Sequence, residues 1–285
     1  MSSNRTVYFN NTFMPKHMVH ISPDDRGFLF ADGVYEVIRA YNGSFFQLEA
    51  HFKRLGRSLD ELSLNFSDLE GLKGACHRLI RENSLEDREA LVYIQITRGV
   101  AERRHTFPDP DVPVTVYASA SAFQPDPEKQ KNGVSVIVRP DIRWNRCDIK
   151  TISLLPNVLA CQGAHQQGHD ETIMVRDGAV TEGTHTNFCA VFNDVVYTHP
   201  ESNNILSGVT RKVVLELCRE KGIAVNEYPV LESRLVNADE MLLVGTTPEV
   251  TPIVRFNGNP VKDGLPGPVT MTLQRAFKAR VKQEC

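Results

Sequence analysis

A strand–turn–strand–helix pattern near the start constrains the fold of this chain more than any other sequence feature. Residues 34–41 have a strand-like composition, and Asn42-Gly43 separates them from a second strand-like run, residues 44–48. An Asn-Gly pair between two such runs is a strong signal for a β-hairpin. A helix is predicted from about Glu49, because apolar residues then recur at steps of three and four: Phe52, Leu55, Leu59 and Leu62. We therefore expect an α+β fold.

The same reasoning predicts further elements and a division into two domains. Ser67 and Glu70 have the spacing of a capping box and predict the start of a second helix. Asp177-Gly178 and Asn257-Gly258 predict two more hairpin turns. Strands are predicted over 90–97 and 112–119, and helices near 157–167, 211–221 and 269–281. The polar, proline-containing segment around 121–131 predicts a linker. We expect a small N-terminal α+β domain over 1–121, a linker over 122–131 and a larger C-terminal α+β domain over 132–285.

Composition excludes several functional classes. The 285 residues are 41% apolar and 24% charged, with a net charge of −3, which does not favour a nucleic-acid binder. No apolar run approaches the roughly 20 residues that cross a bilayer, and the first residues lack the apolar core of a signal peptide. Six cysteines show no CxxC or zinc-like Cys/His spacing, so we expect reduced thiols and no metal site. These features favour a cytoplasmic protein.

Two ionisable residues are candidates for chemistry. Lys150 lies in a strand-like stretch with several polar residues, and a lysine amine becomes a nucleophile when its surroundings lower its pKa. Glu182 lies in Thr-Glu-Gly, where a carboxylate can be placed in a pocket. Each has an ordinary alternative: Lys150 as a solvated lysine at a strand end, and Glu182 as part of a turn.

Three further segments suggest anion binding. Gly208 precedes an apolar-periodic helix, whose free N–H groups and positive dipole end suit a phosphate, although the segment lacks Walker A spacing. Thr246 follows an apolar strand and could hold a second edge of that phosphate. Arg103 and His105 share a short loop that could clamp a carboxylate. The alternatives are an ordinary helix start, a turn and a solvated basic loop.

Taken together and in order, these motifs resemble the class IV, fold-type IV aminotransferases, which use pyridoxal 5′-phosphate (PLP). The resemblance covers about residues 5–280 and is carried by Phe30-Ala-Asp-Gly-Val-Tyr-Glu-Val, His51-Phe-Lys-Arg-Leu, Cys147-Asp-Ile-Lys, Thr181-Glu-Gly and Leu206-Ser-Gly-Val-Thr-Arg. Within the class, Tyr93-Ile-Gln-Ile-Thr-Arg-Gly followed by Arg103-Arg-His-Thr-Phe-Pro is similar to the D-amino-acid aminotransferase group. The resemblance implies a two-domain α+β fold with the cofactor between the domains and the PLP lysine in the C-terminal domain.

The resemblance also implies a role for each candidate residue. Lys150 would form the Schiff base with PLP and move the proton during transamination, and Glu182 would pair with the pyridinium nitrogen. Leu206 would pack on one face of the ring. The phosphate would be bound by Arg54, the N–H groups of Val209 and Thr210, and the hydroxyls of Thr210 and Thr246. The substrate carboxylate would be bound by Tyr35, Arg103 and His105. Arg103 and His105 can come from a partner subunit in this family, which implies a homodimer.

The expected reaction transfers an amino group between a D-amino acid (D-alanine-like) and a 2-oxo acid (2-oxoglutarate-like) by a ping-pong mechanism. One alternative keeps fold and cofactor but changes the substrate: a branched-chain L-amino acid or (R)-amine transaminase, or an aminodeoxychorismate lyase. Another is a non-catalytic phosphate or cofactor binder. Two residues depart from the family pattern, since Arg104 stands where a small residue is expected and His185 where serine is expected.

Overall fold

The computed structural model describes residues 5–285, which form two compact units. The first unit comprises the described residues up to Gln124, together with Ile149–Ser153 and Cys285. The second comprises Pro125–Asp148 and Leu154–Glu284. Both units combine helices with a sheet. The predicted α+β class is therefore confirmed.

The first unit is built on one antiparallel sheet. Its strands within the described residues are β1 (Thr6–Phe9), β2 (Thr12–Pro15), β3 (Gly33–Tyr41), β4 (Ser44–Phe45), β5 (Ala90–Thr97) and β6 (Thr115–Ala122). They pair in the order β2-β1-β6-β5-β3-β4. Its helices are α1 (Arg26–Phe30), α2 (Leu48–Glu61) and α3 (Leu69–Glu82), with a short 3-10 helix at Lys16–Met18.

The predicted hairpin and the apolar face of α2 are both confirmed. Asn42 and Gly43 have φ values of 48° and 84°, as a tight turn between β3 and β4 requires. Leu55 and Leu59 of α2 are buried in the core of the first unit. The second strand of the hairpin is shorter than predicted, because Gln47 adopts a left-handed conformation and α2 begins directly after it.

The predicted start of α3 is wrong by one residue. Asp68, and not Ser67, is the N-cap, since its carboxylate accepts a 2.9 Å hydrogen bond from the backbone N–H of Gly71. Aspartate is as good a cap as serine, and the sequence places the two side by side. The strand predicted over 112–119 begins later and runs over β6.

The second unit is built on a larger mixed sheet. Its strands within the described residues are β7 (Val134–Pro140), β8 (Glu171–Arg176), β9 (Ala179–Gly183), β10 (Asn187–Phe192), β11 (Val195–Thr198), β12 (Val225–Asn226), β13 (Glu240–Gly245), β14 (Glu249–Phe256) and β15 (Asn259–Pro260). The order is β12-β11-β10-β13-β14-β7-β8-β9, and β15 pairs with β14. The helices are α4 (Pro127–Asn132), α5 (Leu155–Gln166), α6 (Val209–Glu220) and α7 (Pro268–Glu284), with a 3-10 helix at Glu232–Asn237.

Turns and helices of the second unit largely follow the sequence pattern. Asp177-Gly178 joins β8 to β9 and Asn257-Gly258 joins β14 to β15, all four residues having positive φ, so both hairpin predictions are confirmed. The segment proposed as a linker contains helix α4. This helix begins at Pro127, where a missing N–H costs nothing, and Asp126 caps it.

The structure differs from the sequence prediction around Lys150. The stretch is irregular and not a strand, with one isolated bridge between Thr151 and Val34. Because Ile149–Ser153 pairs with β3, these residues group with the first unit, whereas the sequence placed Lys150 in the C-terminal domain. Cys76, Cys147, Cys161, Cys189 and Cys218 are free thiols. Among residues 5–285, no helix is both long and apolar enough to cross a membrane.

Candidate active site

Lys150 is held by hydrogen bonds on both sides of its backbone. Its N–H donates to the hydroxyl of Ser58 at 3.2 Å, and its carbonyl accepts from the N–H of Tyr35 at 3.0 Å. The next residue, Thr151, donates its hydroxyl proton to the carbonyl of Gly33 at 3.0 Å. The Nζ atom of Lys150 lies 4.3 Å from the centroid of the Tyr35 ring. The structure therefore brings Lys150 and Tyr35 together.

A buried charged cluster on α2 and β3 contains Arg54. Its guanidinium donates to both carboxylate oxygens of Glu36, with Nε–Oε1 at 2.7 Å and Nη2–Oε2 at 2.9 Å. His51 Nδ1 lies 2.9 Å from Oε2 of the same carboxylate. Burial alone would raise the pKa of Glu36. The positive charge and hydrogen bonds of Arg54 and His51 lower it by more than burial raises it, so this pKa lies well below its ordinary value. Burial lowers the pKa of His51. The cluster thus holds a carboxylate and a guanidinium in their charged forms.

Arg103 and His105 lie on the exposed loop between β5 and β6. The side chains of both residues contact Phe30: the guanidinium carbon of Arg103 is 5.2 Å from the ring centroid, and the His105 ring is 5.6 Å away. The Arg104 side chain is 69% exposed and forms an ion pair with exposed Glu102 at 2.8 Å. The structure therefore brings the two proposed carboxylate-binding residues together at Phe30, whereas Arg104 pairs with Glu102.

Glu182 is the centre of the cluster in the second unit. It is buried at the end of β9, and its Oε2 accepts hydrogen bonds from the Asn187 side chain at 2.9 Å and the Leu206 N–H at 3.0 Å. The Asn187 amide also donates to the carbonyl of Leu206 at 3.0 Å. Burial raises the pKa of Glu182 above its ordinary value. Glu182 and Leu206, predicted from separate motifs, are therefore joined through Asn187.

Arg143 balances the charge of Glu182. Its Nη1 donates to Oε1 of Glu182, and its Nη2 donates to Asp141 at 2.7 Å. Burial would raise the pKa of Asp141, but Arg143 lowers it to about 2. One buried arginine therefore pairs with two carboxylates, which holds the Glu182 side chain in a fixed orientation.

The first turn of α6 lies beside this cluster. A Cβ atom built on Gly208 would lie 1.9 Å from Oδ1 of Asn187, so only glycine fits at this close approach. As the N-cap of α6, Gly208 supplies no side-chain acceptor to the N–H groups of the first turn, which includes Val209 and Thr210. Such a helix start is suited to bind a phosphate.

Thr246 follows the last residue of β13, a central strand of the second unit's sheet. Asn187 of β10 pairs with Val244 of β13, and Thr246 comes directly after β13 ends. Gly245, its neighbour, approaches Thr186, since a Cβ atom on Gly245 would lie 3.6 Å from Cγ2 of that threonine. The register therefore brings the Thr246 backbone to the end of the sheet where β10 begins.

The residues of the second unit fit a charged aromatic ring that carries a phosphate. Thr186 supplies an independent observation: its buried hydroxyl oxygen has no hydrogen-bond partner among residues 5–285. A Cβ atom built on Gly183, the residue after Glu182, would lie 2.1 Å from this oxygen, so the hydroxyl lies against the backbone at the end of β9. A buried polar atom without a partner is rare in proteins and indicates a ligand or water. A carboxylate for a ring N–H, helix N–H groups and hydroxyls for a phosphate are the donor and acceptor set that PLP requires.

His185 lies on the exposed side of the loop between β9 and β10. Its Nδ1 lies 3.0 Å from Oε2 of buried Glu171 and 3.0 Å from the hydroxyl of Thr184. The Thr184 carbonyl in turn accepts from the side chain of Asn157 on α5, at 2.7 Å. His185, one of the two residues that depart from the family pattern, therefore lies beside a buried carboxylate.

Sequence reasoning missed four residues that support the predicted ones. Glu36 could have been identified as a charged residue inside an otherwise apolar strand. His51 could have been identified because it lies three positions before Arg54 and so on the same face of the helix. The Asp-x-Arg pair at 141–143 could have indicated Arg143. Asn187 had no local signal, because its partners Glu182 and Leu206 come from distant positions in the chain.

Comparison with known proteins identifies the family. The model of the class IV amino-transferase family matches residues 33–256. The D-alanine aminotransferase of Bacillus licheniformis is 41% identical over 281 residues, which cover 98% of this chain and 98% of that protein.

Solved structures show the same fold. The branched-chain amino acid aminotransferase of Escherichia coli matches with a TM-score of 0.90 and 25% identity, over 98% of this chain and 94% of that one. The branched-chain aminotransferase of the archaeon Thermoproteus uzoniensis, solved with norvaline, matches with a TM-score of 0.86 and 25% identity, over 98% and 95%. The prediction of a fold-type IV aminotransferase fold is confirmed, and the chain belongs to the class IV aminotransferases.

Proposed function

We propose that this aminotransferase binds PLP and transfers an amino group between a D-amino acid similar to D-alanine and a 2-oxo acid similar to 2-oxoglutarate. Class IV aminotransferases are PLP enzymes, and relatives about 40% identical over nearly the whole chain are D-alanine aminotransferases. The observation that carries the proposal is the buried Glu182 carboxylate, held by Arg143, Asn187 and Leu206 beside a helix start without a side-chain cap.

When bound, PLP supplies an electron sink that stabilises negative charge at the substrate Cα. Lys150 would bind the cofactor through Nζ and move the proton from the substrate Cα. The hydrogen bonds of its backbone to Ser58 and Tyr35 fix the position of the Lys150 main chain, from which the side-chain amine extends. Glu182 would accept a hydrogen bond from the ring N–H, and Arg143 keeps its carboxylate oriented for that bond. Leu206 would cover one face of the ring.

Binding of the phosphate would depend mainly on direct hydrogen bonds. A helix start contributes only about 0.3–1 kcal/mol at an exposed site, whereas each hydrogen bond to a charged group contributes about 1.5–3 kcal/mol. The donors would be the guanidinium of Arg54, the N–H groups of Val209 and Thr210, and the hydroxyls of Thr210 and Thr246. Glu36 already fixes the plane of the Arg54 guanidinium, so little side-chain entropy is lost on binding.

The substrate carboxylate would be bound by Tyr35, Arg103 and His105. The proposal includes a homodimer, in which Arg103 and His105 serve a partner subunit. Helix α5 supports this, because Leu155, Val158 and Leu159 are 68%, 57% and 57% exposed and lie at helical spacing. Exposed apolar clusters of this kind mark interaction surfaces. Cytoplasmic location stays a prediction from the sequence.

The visible spectrum of the PLP-loaded protein tests the proposal. D-alanine and L-alanine are added separately, and loss of the visible cofactor band is followed. Bleaching by D-alanine alone supports the proposed function. Bleaching by L-alanine alone would overturn the D-amino acid assignment in favour of an L-amino acid aminotransferase, the class to which the branched-chain relatives belong. A protein that shows no cofactor band after PLP addition would contradict the cofactor assignment.

A further inference from the structure

A buried arginine lies under the loop that carries the proposed carboxylate-binding residues. The Arg26 side chain, at the start of α1, is 4% exposed. Its Nη1 donates to the carbonyl of Arg104 at 2.7 Å and, more weakly, to that of Thr106 at 3.4 Å. These two carbonyls flank His105 in the chain, and the first belongs to the residue after Arg103. One guanidinium nitrogen therefore binds the loop backbone on both sides of His105.

Arg26 is itself held in place by Asp32 and Arg98. Its Nε donates to Oδ2 of Asp32 at 2.8 Å, and Arg98 donates to the same carboxylate through Nε at 2.8 Å and Nη2 at 3.0 Å. Arg98 also donates to the carbonyls of Leu62 and Ser63, at 2.7 and 2.9 Å. The two arginines and Asp32 thus connect the loop to the end of α2.

The ring of Phe30 completes the support. The guanidinium carbon of Arg26 lies 4.8 Å from the ring centroid, and that of Arg103 lies 5.2 Å from it. The His105 ring contacts the same phenyl group. Arg26 and Phe30 belong to α1, so one short helix contacts both the backbone and the side chains of the loop.

The loop has little regular structure of its own. It connects β5, which ends at Thr97, to β6, which begins at Thr115, and residues 101–107 form neither helix nor strand. The side chains of Arg103 and His105 are exposed. Long exposed loops lose much conformational entropy when they are ordered, so a loop held by a buried arginine binds its ligand at a lower entropic cost.

We propose that Arg26 is a positioning residue for substrate binding: it fixes the backbone around His105 so that Arg103 and His105 can bind the substrate carboxylate. Arg26 does not contact the substrate in this scheme. It acts through the loop, and Asp32 and Arg98 hold it in place. This inference rests on the proposed function of Arg103 and His105.

The test compares R26Q and R26K with the matched control R104Q in the PLP-loaded enzyme. R104Q removes an exposed guanidinium from the same loop but keeps the carbonyl to which Arg26 donates. For R26Q we expect KM for D-alanine to rise about tenfold or more with kcat within about threefold, because ground-state positioning is lost. PLP affinity should stay unchanged. R26K should give a smaller rise, and R104Q almost none.

A second measurement reads the loop directly. Hydrogen exchange of the amides of residues 101–107 should be faster in R26Q and R26K than in wild type, and unchanged in R104Q. In the triple variant R26Q/R103A/H105A, KM should rise little beyond its value in R103A/H105A, since Arg26 acts on the substrate only through these two residues. Should R26Q fail to fold, R26K and its exchange pattern decide the matter.

Two outcomes would overturn the inference. One is unchanged KM and unchanged loop exchange in a folded R26K or R26Q protein. The other is a parallel loss of PLP affinity and kcat, which indicates a general structural role. Failure of the proposed function looks different: the wild-type enzyme would then not react with D-alanine at all, while loop exchange would still report whether Arg26 orders residues 101–107.

Discussion

Two hydrogen bonds, of 2.7 and 2.9 Å, join the guanidinium of Arg54 to the carboxylate of Glu36. The pair is buried, and His51 contacts the same carboxylate. The buried carboxylate of Glu36 therefore already orients Arg54, the residue proposed to bind a phosphate. This arrangement favours binding without rearrangement, and it makes the carboxylate as important to test as the arginine.

Replacement of Arg54 should weaken PLP binding. In R54Q we expect the Kd for PLP to rise about tenfold to a hundredfold, the equivalent of one hydrogen bond to a charged group. The matched control is R57Q on the same helix, where Arg57 is exposed and pairs loosely with Glu61 at 3.5 Å. Fluorescence titration with PLP measures both. Equal affinity in R54Q and R57Q would remove Arg54 from the phosphate site.

Glu36 should make stability depend on pH. Its pKa lies below that of the unfolded chain, so it stabilises the fold above the unfolded value of 4.5, and the contribution disappears as the pH falls toward the folded value. E36Q should therefore melt below wild type at about pH 7, and the difference should shrink at about pH 4. Thermal melts at both pH values check this. A difference that grows on acidification contradicts the assignment.

Lys150 should be indispensable for turnover. K150A is expected to show no transamination in the absence of added amine, because the group proposed to move the substrate proton is removed. K53A is the control, since Lys53 is an exposed lysine on α2. Single-turnover spectra with D-alanine separate the two variants. Turnover by K150A without added amine would refute the proposed mechanism.

Glu182 should affect the chemical step more than binding. For E182Q we expect kcat to fall about a hundredfold or more, as for the loss of one preorganised electrostatic group, with PLP still bound. E232Q, at an exposed position, should behave as wild type. Steady-state kinetics with cofactor titration checks this. A normal kcat in E182Q would mean that the ring nitrogen has another partner.

The exposed face of α5 should hold the dimer together. V158D places a charge among Leu155 and Leu159, and we expect it to shift the protein toward monomer because a buried unpaired charge is costly. L265D, at an exposed apolar residue outside α5, should leave the mass unchanged. Sedimentation at several concentrations gives the answer. A wild-type protein that sediments as a monomer would contradict the homodimer.

Local features of the fold were predictable from the sequence, and features set by distant contacts were not. The Asn42-Gly43 turn and the apolar stripe of α2 depend on neighbours within a few residues, and both are confirmed. The segment around Lys150 has strand-like residues, yet it forms one bridge to Val34 and no strand. Its conformation is set by Gly33 and Tyr35, more than a hundred positions earlier, and no local pattern encodes that.

The candidate site divides in the same way. Family motifs named the residues that would contact PLP and substrate, because those residues occur in recognisable short runs. The supporting residues Arg143, Asn187 and Arg26 were not predicted, because each binds partners that are distant in sequence. A hydrogen bond from Arg26 to the carbonyl of Arg104 leaves no trace in either local sequence.

The pairing of Ile149–Ser153 with β3 affects how such chains can be recombined. A hybrid of two homologues made by one crossover near Gln124 would take its N-terminal sheet from one parent and Lys150 from the other. The hydrogen bond from Tyr35 to Lys150 would then join residues of different ancestry. A hybrid that keeps each unit intact needs two additional crossovers, one on each side of Ile149–Ser153. Gene shuffling by a single exchange near Gln124 would therefore separate Lys150 from β3, the strand that holds it.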